Sequence, residues 1–454
     1  MRRRAAWWGL AALALAGFPS PAGADADRHP LKDFVKGATY TVDIFTSFFP
    51  QTFVSSPDLI VDDKAVIFWT KALAKSQATL ADGLMLKLAL YTAYSGFHDE
   101  FRGVFASPDS EKPYARYVDF KEASLRYTAD RFALLLGRAP ITVSLSTLHS
   151  PANRYRVLNL TNPMHPDDLG AWQTSLDWFL GDNTLRFSIL PFEERSTSPF
   201  RSSRWVGESG ENFSTTSSSS SSGGGATGLT APEGANVRTV FRNRPGFLLK
   251  YTGVATSLDY FLTAHYGPGQ FQTIQNPSEN EFSLEIPSAV TLSAGAAKTQ
   301  GGLELHGESL YQMTDENADQ NFVRYVIGAT YRETAWAERI GFDEISPVVE
   351  YAGEWVTGQQ DNAGTPVNSS QARPFRNSLL FRVDVIPTDK LTFRVGGVRN
   401  FTTGDYTQIF ALEYKPNYNL TWKAQAAVFG GAADTAFGRW NRNDYFEVGL
   451  TRTF

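Results

Sequence analysis

Apolar and polar residues alternate along many short segments of this chain, and glycine, asparagine, aspartate and proline interrupt the segments. The clearest case begins at residue 171, where every second residue falls on one face: Trp172, Thr174, Leu176, Trp178 and Leu180. Gly181-Asp182-Asn183 then turns the chain, and the alternation resumes through Leu185, Phe187 and Ile189. Because successive side chains of a strand point to opposite faces, alternation on both sides of a tight turn predicts a β-hairpin.

The same pattern predicts further hairpins along the rest of the chain. They span residues 117–141, 247–266, 289–312, 322–355, 378–398 and 406–429, and the hairpin 247–266 should turn near Thr252-Gly253. With the hairpin at 171, a strand at 84–94 and a strand at the carboxyl end, the count is about sixteen. Two more runs, 38–49 and 64–74, would make eighteen strands, although 62–77 also fits a short amphipathic helix. We favour eighteen strands over sixteen.

Longer polar segments separate the predicted hairpins, so that short turns alternate with long loops. The segments are 96–114, 142–169, 192–245, 267–285, 313–321, 357–375 and 430–442. Short periplasmic turns and long extracellular loops are typical of transmembrane barrels. The predicted fold is therefore an all-β, antiparallel, up-and-down transmembrane β-barrel of 16–18 strands, with both termini in the periplasm. The Ser/Gly tract 214–228 is either part of the extracellular loop 192–245 or an interdomain linker, and the strand count favours the loop.

The last strand ends the chain on an aromatic residue. Phe446, Val448, Leu450 and Phe454 fall on one face, and no residue follows that could cover them. A closed barrel tolerates such a face because the face meets hydrocarbon. This ending resembles the carboxyl-terminal signature of Gram-negative outer-membrane β-barrels. The resemblance implies that Phe454 is an assembly signal read by the barrel-assembly machinery, and that outer-membrane lipid and lipopolysaccharide surround the protein.

The amino terminus has the pattern of an export signal. Three arginines at 2–4 precede the apolar run 5–18, and Ala22-Gly23-Ala24 fits a cleavage site. We expect residues 1–24 to be a removed signal peptide, with cleavage before Asp27 or a retained anchor as alternatives. Residues 25–37 would form a periplasmic arm and residues 38–454 the barrel. Because the chain has no cysteine, lipid attachment through a thiol and disulfides are excluded.

If the apolar faces contact lipid, the alternate residues line the interior of the barrel. Nearly all strand charges fall on that inward face, as expected when an outward charge at mid-bilayer costs ~2–4 kcal/mol, and Arg452 is the main exception. The predicted pore-lining residues are Arg126, Arg186, Asp259, His265, Glu304, His306, Glu308, Arg324, Glu350, Glu354, Arg382, Asp384 and Arg394. Their signs alternate between neighbouring strands, which fits a structural ladder of cross-strand pairs or a transverse field that orients a polar solute. We favour the ladder.

The stretch Leu134-Leu135-Leu136-Gly137-Arg138 precedes one of the long polar segments. It resembles the strand-to-loop junction of large porin-type families, loosely the alginate-export and related specific-channel porins. In those families a Gly-Arg pair ends the strand and the next loop often folds into the barrel; the aromatic residue that often follows is replaced here by Ala139-Pro140-Ile141. The resemblance implies a constriction loop, with an ordinary surface loop as the alternative. The candidate constriction residues are Arg154, Arg156, Asp167 and Asp168.

Candidate reaction chemistry is sparse. Ser144, Ser146 and His149 suggest a hydrolase, but no G-x-S-x-G elbow accompanies them. The spacing of His165, Asp167 and Asp168 permits a metal ion, although Asp-Asp in a proline-containing loop is usually turn chemistry. The sequence therefore predicts no catalytic residues, no cofactor and no metal site.

Three functions fit the predicted barrel. The leading hypothesis is a channel for passive diffusion or facilitated passage of small polar solutes, because barrels of 16–18 strands enclose an aqueous lumen. The alternative is a scaffold that sheathes a partner, such as a cytochrome or an export component. A surface enzyme or adhesin acting through loop 192–245 is the third. A net charge of −5 without a basic tract argues against nucleic acid as a partner, and the oligomeric state, including a homo-oligomer, stays open.

Overall fold

The structure is a computed structural model that describes residues 34–51, 64–95, 101–102, 116–192, 194, 196, 203–206, 236–239, 244–269, 273–278, 281–314, 320–358 and 374–454. Within these residues, eighteen long strands form one closed antiparallel barrel. The predicted signal peptide, most of the predicted arm and the Ser/Gly tract lie outside the described residues. No helix among the described residues is long and apolar enough to cross a membrane.

The barrel strands are numbered in chain order. They are β1 (Thr39–Phe48), β2 (Val66–Ala81), β3 (Leu84–Ser95), β4 (Arg116–Thr128), β5 (Phe132–Ala139), β6 (Ala171–Leu180), β7 (Asn183–Leu190), β8 (Gly246–Ala255), β9 (Leu258–Pro268), β10 (Ser288–Gln300), β11 (Leu303–Thr314), β12 (Asn321–Tyr331), β13 (Glu344–Gly358), β14 (Asn377–Thr388), β15 (Leu391–Asn400), β16 (Tyr406–Asn417), β17 (Leu420–Gly430) and β18 (Tyr445–Thr453).

Each strand pairs with its sequence neighbour, and β18 pairs with β1 to close the ring. At this seam the backbone N–H of Phe454 donates to the carbonyl of Tyr40 at 2.8 Å, and Tyr40 returns a bond at 3.2 Å. The Phe454 side chain lies on the outward face and is 61% exposed. The last strand therefore completes the hydrogen bonding of the first, and no open edge remains at the seam.

The prediction of eighteen strands is confirmed, and the alternative helix at 62–77 is wrong. Residues 66–81 form β2, which pairs with both β1 and β3. Its alternate residues Ile67 and Trp69 are buried inward, whereas Val66 and Phe68 are exposed outward. This two-residue period suits a strand, and pairing on both edges outweighs the local helical propensity.

The turn predicted near Thr252-Gly253 lies a few residues further along the chain. Both residues lie inside β8, and the chain turns at Thr256 and Ser257, where Ser257 has φ 59°. A Cβ at Gly253 would lie 2.3 Å from the Tyr260 ring of the neighbouring strand. This glycine therefore makes room for an aromatic ring, and the local sequence alone does not distinguish that use from a turn.

Short turns lie at one end of the barrel and long connections at the other, called here the turn end and the loop end. Most connections at the turn end have two or three residues, as at 82–83, 129–131 and 301–302. The longest described connection there, 332–343, contains the helix Ala335–Arg339. Among the connections at the loop end, residues 157–159 pair with 167–169, and 236–239, 273–278 and 281–285 form a small sheet.

The outward face of most strands carries exposed large apolar side chains. Leu262, Ile327 and Trp422, on three separate strands, are 54%, 59% and 52% exposed. In water such a surface would be strongly unfavourable, whereas hydrocarbon suits it. The barrel is thus a transmembrane barrel of the outer-membrane type, as its carboxyl-terminal resemblance implied.

Candidate functional site

The inward loop, defined as residues 140–170, connects β5 to β6 and folds into the barrel. Gly137 has φ 123°, and a Cβ there would lie 2.3 Å from a backbone oxygen of the neighbouring strand, so only glycine fits. Arg138 is buried; its Nε donates to the Gly170 carbonyl at 2.6 Å, and its Nη1 pairs with Asp119. The Gly-Arg junction thus joins the beginning of the loop to its end.

Two wall carboxylates bind the tip of the inward loop, residues 144–150. Glu308 on β11 accepts the backbone N–H groups of residues 145 and 146, the latter at 2.7 Å. Glu350 on β13 accepts the N–H groups of residues 147–149 at 2.7, 2.8 and 2.8 Å. Five consecutive backbone amides are therefore bound by two carboxylates on the far side of the barrel. Hydrogen bonds to a charged acceptor are stronger than neutral ones, so this contact fixes the tip in the lumen.

A buried histidine supports one of these carboxylates. His306 Nε2 lies 3.0 Å from Glu350 Oε1, and His306 Nδ1 lies 3.4 Å from Glu304 Oε1. The His306 and Glu350 side chains are fully buried, whereas Glu304 is 36% exposed. His306 therefore supports the anchor of the loop and does not itself face open lumen.

The middle of the inward loop is held by a buried arginine. The Arg154 guanidinium donates to Thr291 Oγ1, to Gln312 Oε1 at 3.2 Å and to a backbone carbonyl of β9 at 3.1 Å. The adjacent Tyr155 ring lies 5.1 Å from the ring of His265. Burial lowers the pKa of Arg154 and raises the pKa of Tyr155. Both predicted residues, Arg154 and His265, thus belong to the contact between loop and wall.

The far end of the inward loop contacts the wall beside the seam. Asp167 Oδ2 lies 2.6 Å from Lys71 Nζ on β2 and accepts the Tyr91 hydroxyl of β3 at 2.8 Å. His165 Nε2 lies 2.7 Å from Glu447 Oε1 on β18. These contacts and the anchored tip lie on different sides of the barrel, so the loop extends across the lumen.

The candidate metal triad has separate partners. Asp168 forms a bidentate pair with Arg156, with both N–O distances at 2.6 Å. Asp167 and His165 bind the wall residues just described. Among the described residues, no group of three or more histidine and acidic side chains is placed to hold a metal ion.

The other predicted pore-lining residues pair mainly along the wall. The pairs are Arg324–Glu354 at 2.9 Å, Arg376–Glu354 at 3.0 Å, Arg394–Asp384 at 2.6 Å, Arg382–Asp384 at 3.3 Å, Arg126–Asp177 at 3.4 Å and the bidentate Arg186–Asp177. Asp259 is exposed on the inward face near the turn end. Glu308 and Glu350 depart from this ladder because they bind loop amides.

The candidate hydrolase residues do not form a nucleophile and base. The Ser144 hydroxyl donates to a backbone carbonyl at 3.0 Å. The His149 ring packs against the Phe375 ring, with 4.5 Å between centroids. Burial, together with the positive charge of Arg324, lowers the pKa of His149 to about 3, although Glu350 opposes the shift. His149 is therefore neutral near pH 7 and acts as a packing residue.

A second segment enters the lumen at the loop end, and sequence reasoning missed it. Residues Arg204–Val206 form a short 3₁₀ helix from which Trp205, 2% exposed, packs among inward aromatic residues. Its ring lies 5.7 Å from Trp440 and 6.0 Å from Tyr445, both edge-on. Trp440 Nε1 donates to the Trp205 carbonyl at 2.8 Å. This cluster fills the part of the mouth beside the seam, and no periodicity in the sequence marks it.

An open space remains between the inward loop and the wall formed by β15 to β18. It is a cavity of about 210 Å³. Its charged and polar lining residues are His165, Thr392, Arg394, Glu413, Lys423, Gln425 and Glu447. Both signs of charge therefore face the part of the lumen that the loop leaves free.

The chain is similar in fold to several solved β-barrels. OccK8 (OprE) of Pseudomonas aeruginosa matches with 10% identity and a TM-score of 0.49, over 92% of this chain and 97% of that one. OccK9 (OpdG) of the same organism matches with 13% identity and a TM-score of 0.48, over 93% and 98%. A variant of the Rh. blastica porin matches with 10% identity and a TM-score of 0.41, over 92% and 99%. No protein-family model and no curated protein matches the sequence.

Proposed function

We propose that this barrel is a porin-like outer-membrane channel for small hydrophilic solutes. The observation that carries the proposal is the inward loop, which is fixed across the lumen and leaves a charged cavity beside β15 to β18. A loop held in this way narrows the pore without filling it, and solutes would pass along the charged side. The turn end would face the periplasm, because short turns lie there in such barrels.

The scaffold hypothesis is less well supported. A barrel that sheathes a folded partner needs a lumen wide enough for that partner. Here Glu350 fixes the inward loop in the lumen, and Trp205 occupies part of the mouth. The cavity of about 210 Å³ suits a small solute or a row of water molecules and not a folded domain.

The test is planar-bilayer recording of the purified full chain. The wild type should insert with discrete conductance steps. Lys423→Glu, which reverses a charge in the cavity lining, should move the reversal potential in a salt gradient towards cation selectivity. The matched control is Lys390→Glu, which makes the same charge change in the exposed turn between β14 and β15.

Two results would contradict the proposal. One is the absence of conductance steps from protein that shows the mobility of a folded barrel in an electrophoretic gel. The other is an equal shift of reversal potential in both variants, which would mean that the cavity is not on the conduction path. Stoichiometric co-purification of a partner that blocks the steps would favour the scaffold.

A further inference from the structure

Arg452 points outward from the barrel, towards the membrane, whereas nearly all other charges of the strands point inward. It lies in β18 in phase with Phe446 and Val448, which are exposed on the outward face. Its direct neighbours across the sheet are Leu420 on β17 and Val42 on β1. A cation on the lipid-facing surface is costly unless it reaches the membrane interface, so this arginine needs an explanation.

Aromatic side chains indicate the level of Arg452 in the membrane. Tyr414 on β16 and Trp422 on β17 lie opposite each other and are 44% and 52% exposed on the outward face. Outer-membrane barrels carry girdles of such residues at both interfaces. Trp422 also lies opposite Leu450, and Arg452 is two residues, roughly 7 Å, further towards the turn end. Arg452 therefore lies at the level expected for lipid phosphates.

The Arg452 guanidinium is supported by a ring but has no counter-charge. Its carbon atom Cζ lies 4.7 Å from the centre of the Phe454 ring. Among the residues that the structure describes, no acceptor lies within hydrogen-bond distance and no acid within ion-pair distance of it. The inward arginines Arg186 and Arg394 differ, because each pairs with an aspartate. Arg452 is exposed, so its donors are accessible to a ligand.

An open pocket of about 440 Å³ lies beside Arg452, at the turn that joins β16 to β17. Asn417 Oδ1 accepts the backbone N–H of Asn419 at 3.0 Å, which leaves the amide NH₂ of Asn417 as a donor. The backbone N–H of Thr453 donates to the Asn419 carbonyl at 2.9 Å, so the turn is fixed to β18. The lining residues are Asn417, Tyr418, Asn419, Leu420 and Arg452. The pocket thus combines one cation with amide and phenol groups, and no acid lines it.

We propose that this pocket binds the headgroup of an anionic phospholipid such as phosphatidylglycerol, in the leaflet at the turn end. Arg452 binds the phosphate, because the planar guanidinium fork matches phosphate oxygens. The amides and the phenol of the turn bind the glycerol hydroxyls, and the acyl chains lie along Leu420 and Trp422. Because no acid lines the pocket, it offers no partner to the ammonium group of a zwitterionic headgroup. The proposal depends on the position of the barrel in the membrane and not on whether the barrel conducts.

The test is native mass spectrometry of the purified full chain in a neutral detergent. The protein is titrated with phosphatidylglycerol and, separately, with phosphatidylcholine that has the same acyl chains. The wild type should bind its first phosphatidylglycerol about tenfold more tightly than phosphatidylcholine, the difference expected for one charge-assisted hydrogen bond. Arg452→Gln should remove this preference. Arg452→Lys, which keeps the charge without the planar fork, should keep part of it.

Lys298→Gln is the matched control. Lys298 on β10 is an exposed cation near the turn end, and it also points outward, since its partner Leu305 on β11 is 55% exposed on that face. Lys298 does not line the pocket. The control therefore removes the same charge from the same end of the lipid-facing surface, and it should keep the preference of the wild type for phosphatidylglycerol.

Several results would overturn the proposal. They are an equal preference in wild type and Arg452→Gln, no preference in wild type, and an equal loss of preference in Lys298→Gln. If inorganic phosphate displaced the lipid at equal concentration, the occupant would be a free anion, and the proposal would also fail. If Arg452→Gln does not fold, Tyr418→Ser still decides, because Tyr418 is fully exposed and its truncation disturbs no packing. This variant should bind phosphatidylglycerol several-fold more weakly, and an unchanged affinity refutes the site.

Discussion

Glu350 offers the sharpest test of how the inward loop is held. Its Oε1 atom accepts the N–H groups of residues 147 and 148 and faces His306 Nε2 at 3.0 Å, while Oε2 accepts the N–H of residue 149. Glu350→Gln preserves the size of the side chain but replaces one acceptor oxygen with an NH₂ donor. In either orientation of the amide, that donor faces an N–H group, so at least one bond becomes a repulsive contact.

The magnitude follows from the bonds lost. A hydrogen bond to a charged group contributes about 1.5–3 kcal/mol, and the buried N–H left without an acceptor adds a penalty of similar size. We expect Glu350→Gln to weaken docking of the loop tip by about 3 kcal/mol. At about 1.4 kcal/mol per tenfold, the population with a released tip should rise by about a hundredfold.

Single-channel recording would detect this change. Release of the tip should add long-lived states of altered conductance that the wild type visits rarely. Glu344→Gln is the matched control, since Glu344 lies on the same strand as Glu350, pairs with Arg332 at 3.6 Å and is not among the residues that line the cavity. If Glu350→Gln gave the same conductance and dwell times as wild type, with the folded mobility retained, the loop would not be held by this carboxylate.

Three further predictions concern pH, the mouth and the seam. The pKa of His149 is about 3 when the loop is docked, compared with an ordinary value of 6.5, so the docked loop binds fewer protons than the released loop. Acidification to pH 5 should therefore weaken docking of the loop by up to about 2 kcal/mol. Hydrogen exchange of the loop amides should show this weakening, and His149→Phe should remove its pH dependence. Trp205→Ala should lower the thermal midpoint of the folded barrel, since truncating a buried aromatic costs about 3–5 kcal/mol, whereas Trp336→Ala, 55% exposed, should not. Deleting Phe454 should reduce the folded fraction in cells and leave detergent refolding nearly unchanged; equal yields in cells would show that the residue is no assembly signal.

The fold was largely predictable because a membrane barrel repeats one simple rule. Outward positions must be apolar and inward positions may be polar, so the two-residue period survives in strand after strand, as at Phe446, Val448 and Leu450. The prediction went wrong where a residue serves a neighbouring strand instead of its own. Gly253 is such a case. A side chain at this position would collide with the Tyr260 ring, and only the pairing of β8 with β9 brings that ring opposite residue 253.

The candidate site was predictable in its parts and not in its contacts. Exclusion of charge from lipid is enough to predict that Glu308 and Glu350 point inward. Their partners are backbone N–H groups 162 and 202 residues away in the sequence. Because every loop residue except proline carries such a group, the sequence does not indicate which ones are bound. The one local signal was Gly137-Arg138, because a glycine with positive φ and a buried arginine restrict the residue types that fit. Arg204 makes the same point at the mouth, because its acceptors are Asn443 and the carbonyls of Gln51 and Lys64, which lie in loops distant in sequence and come together only in the folded chain.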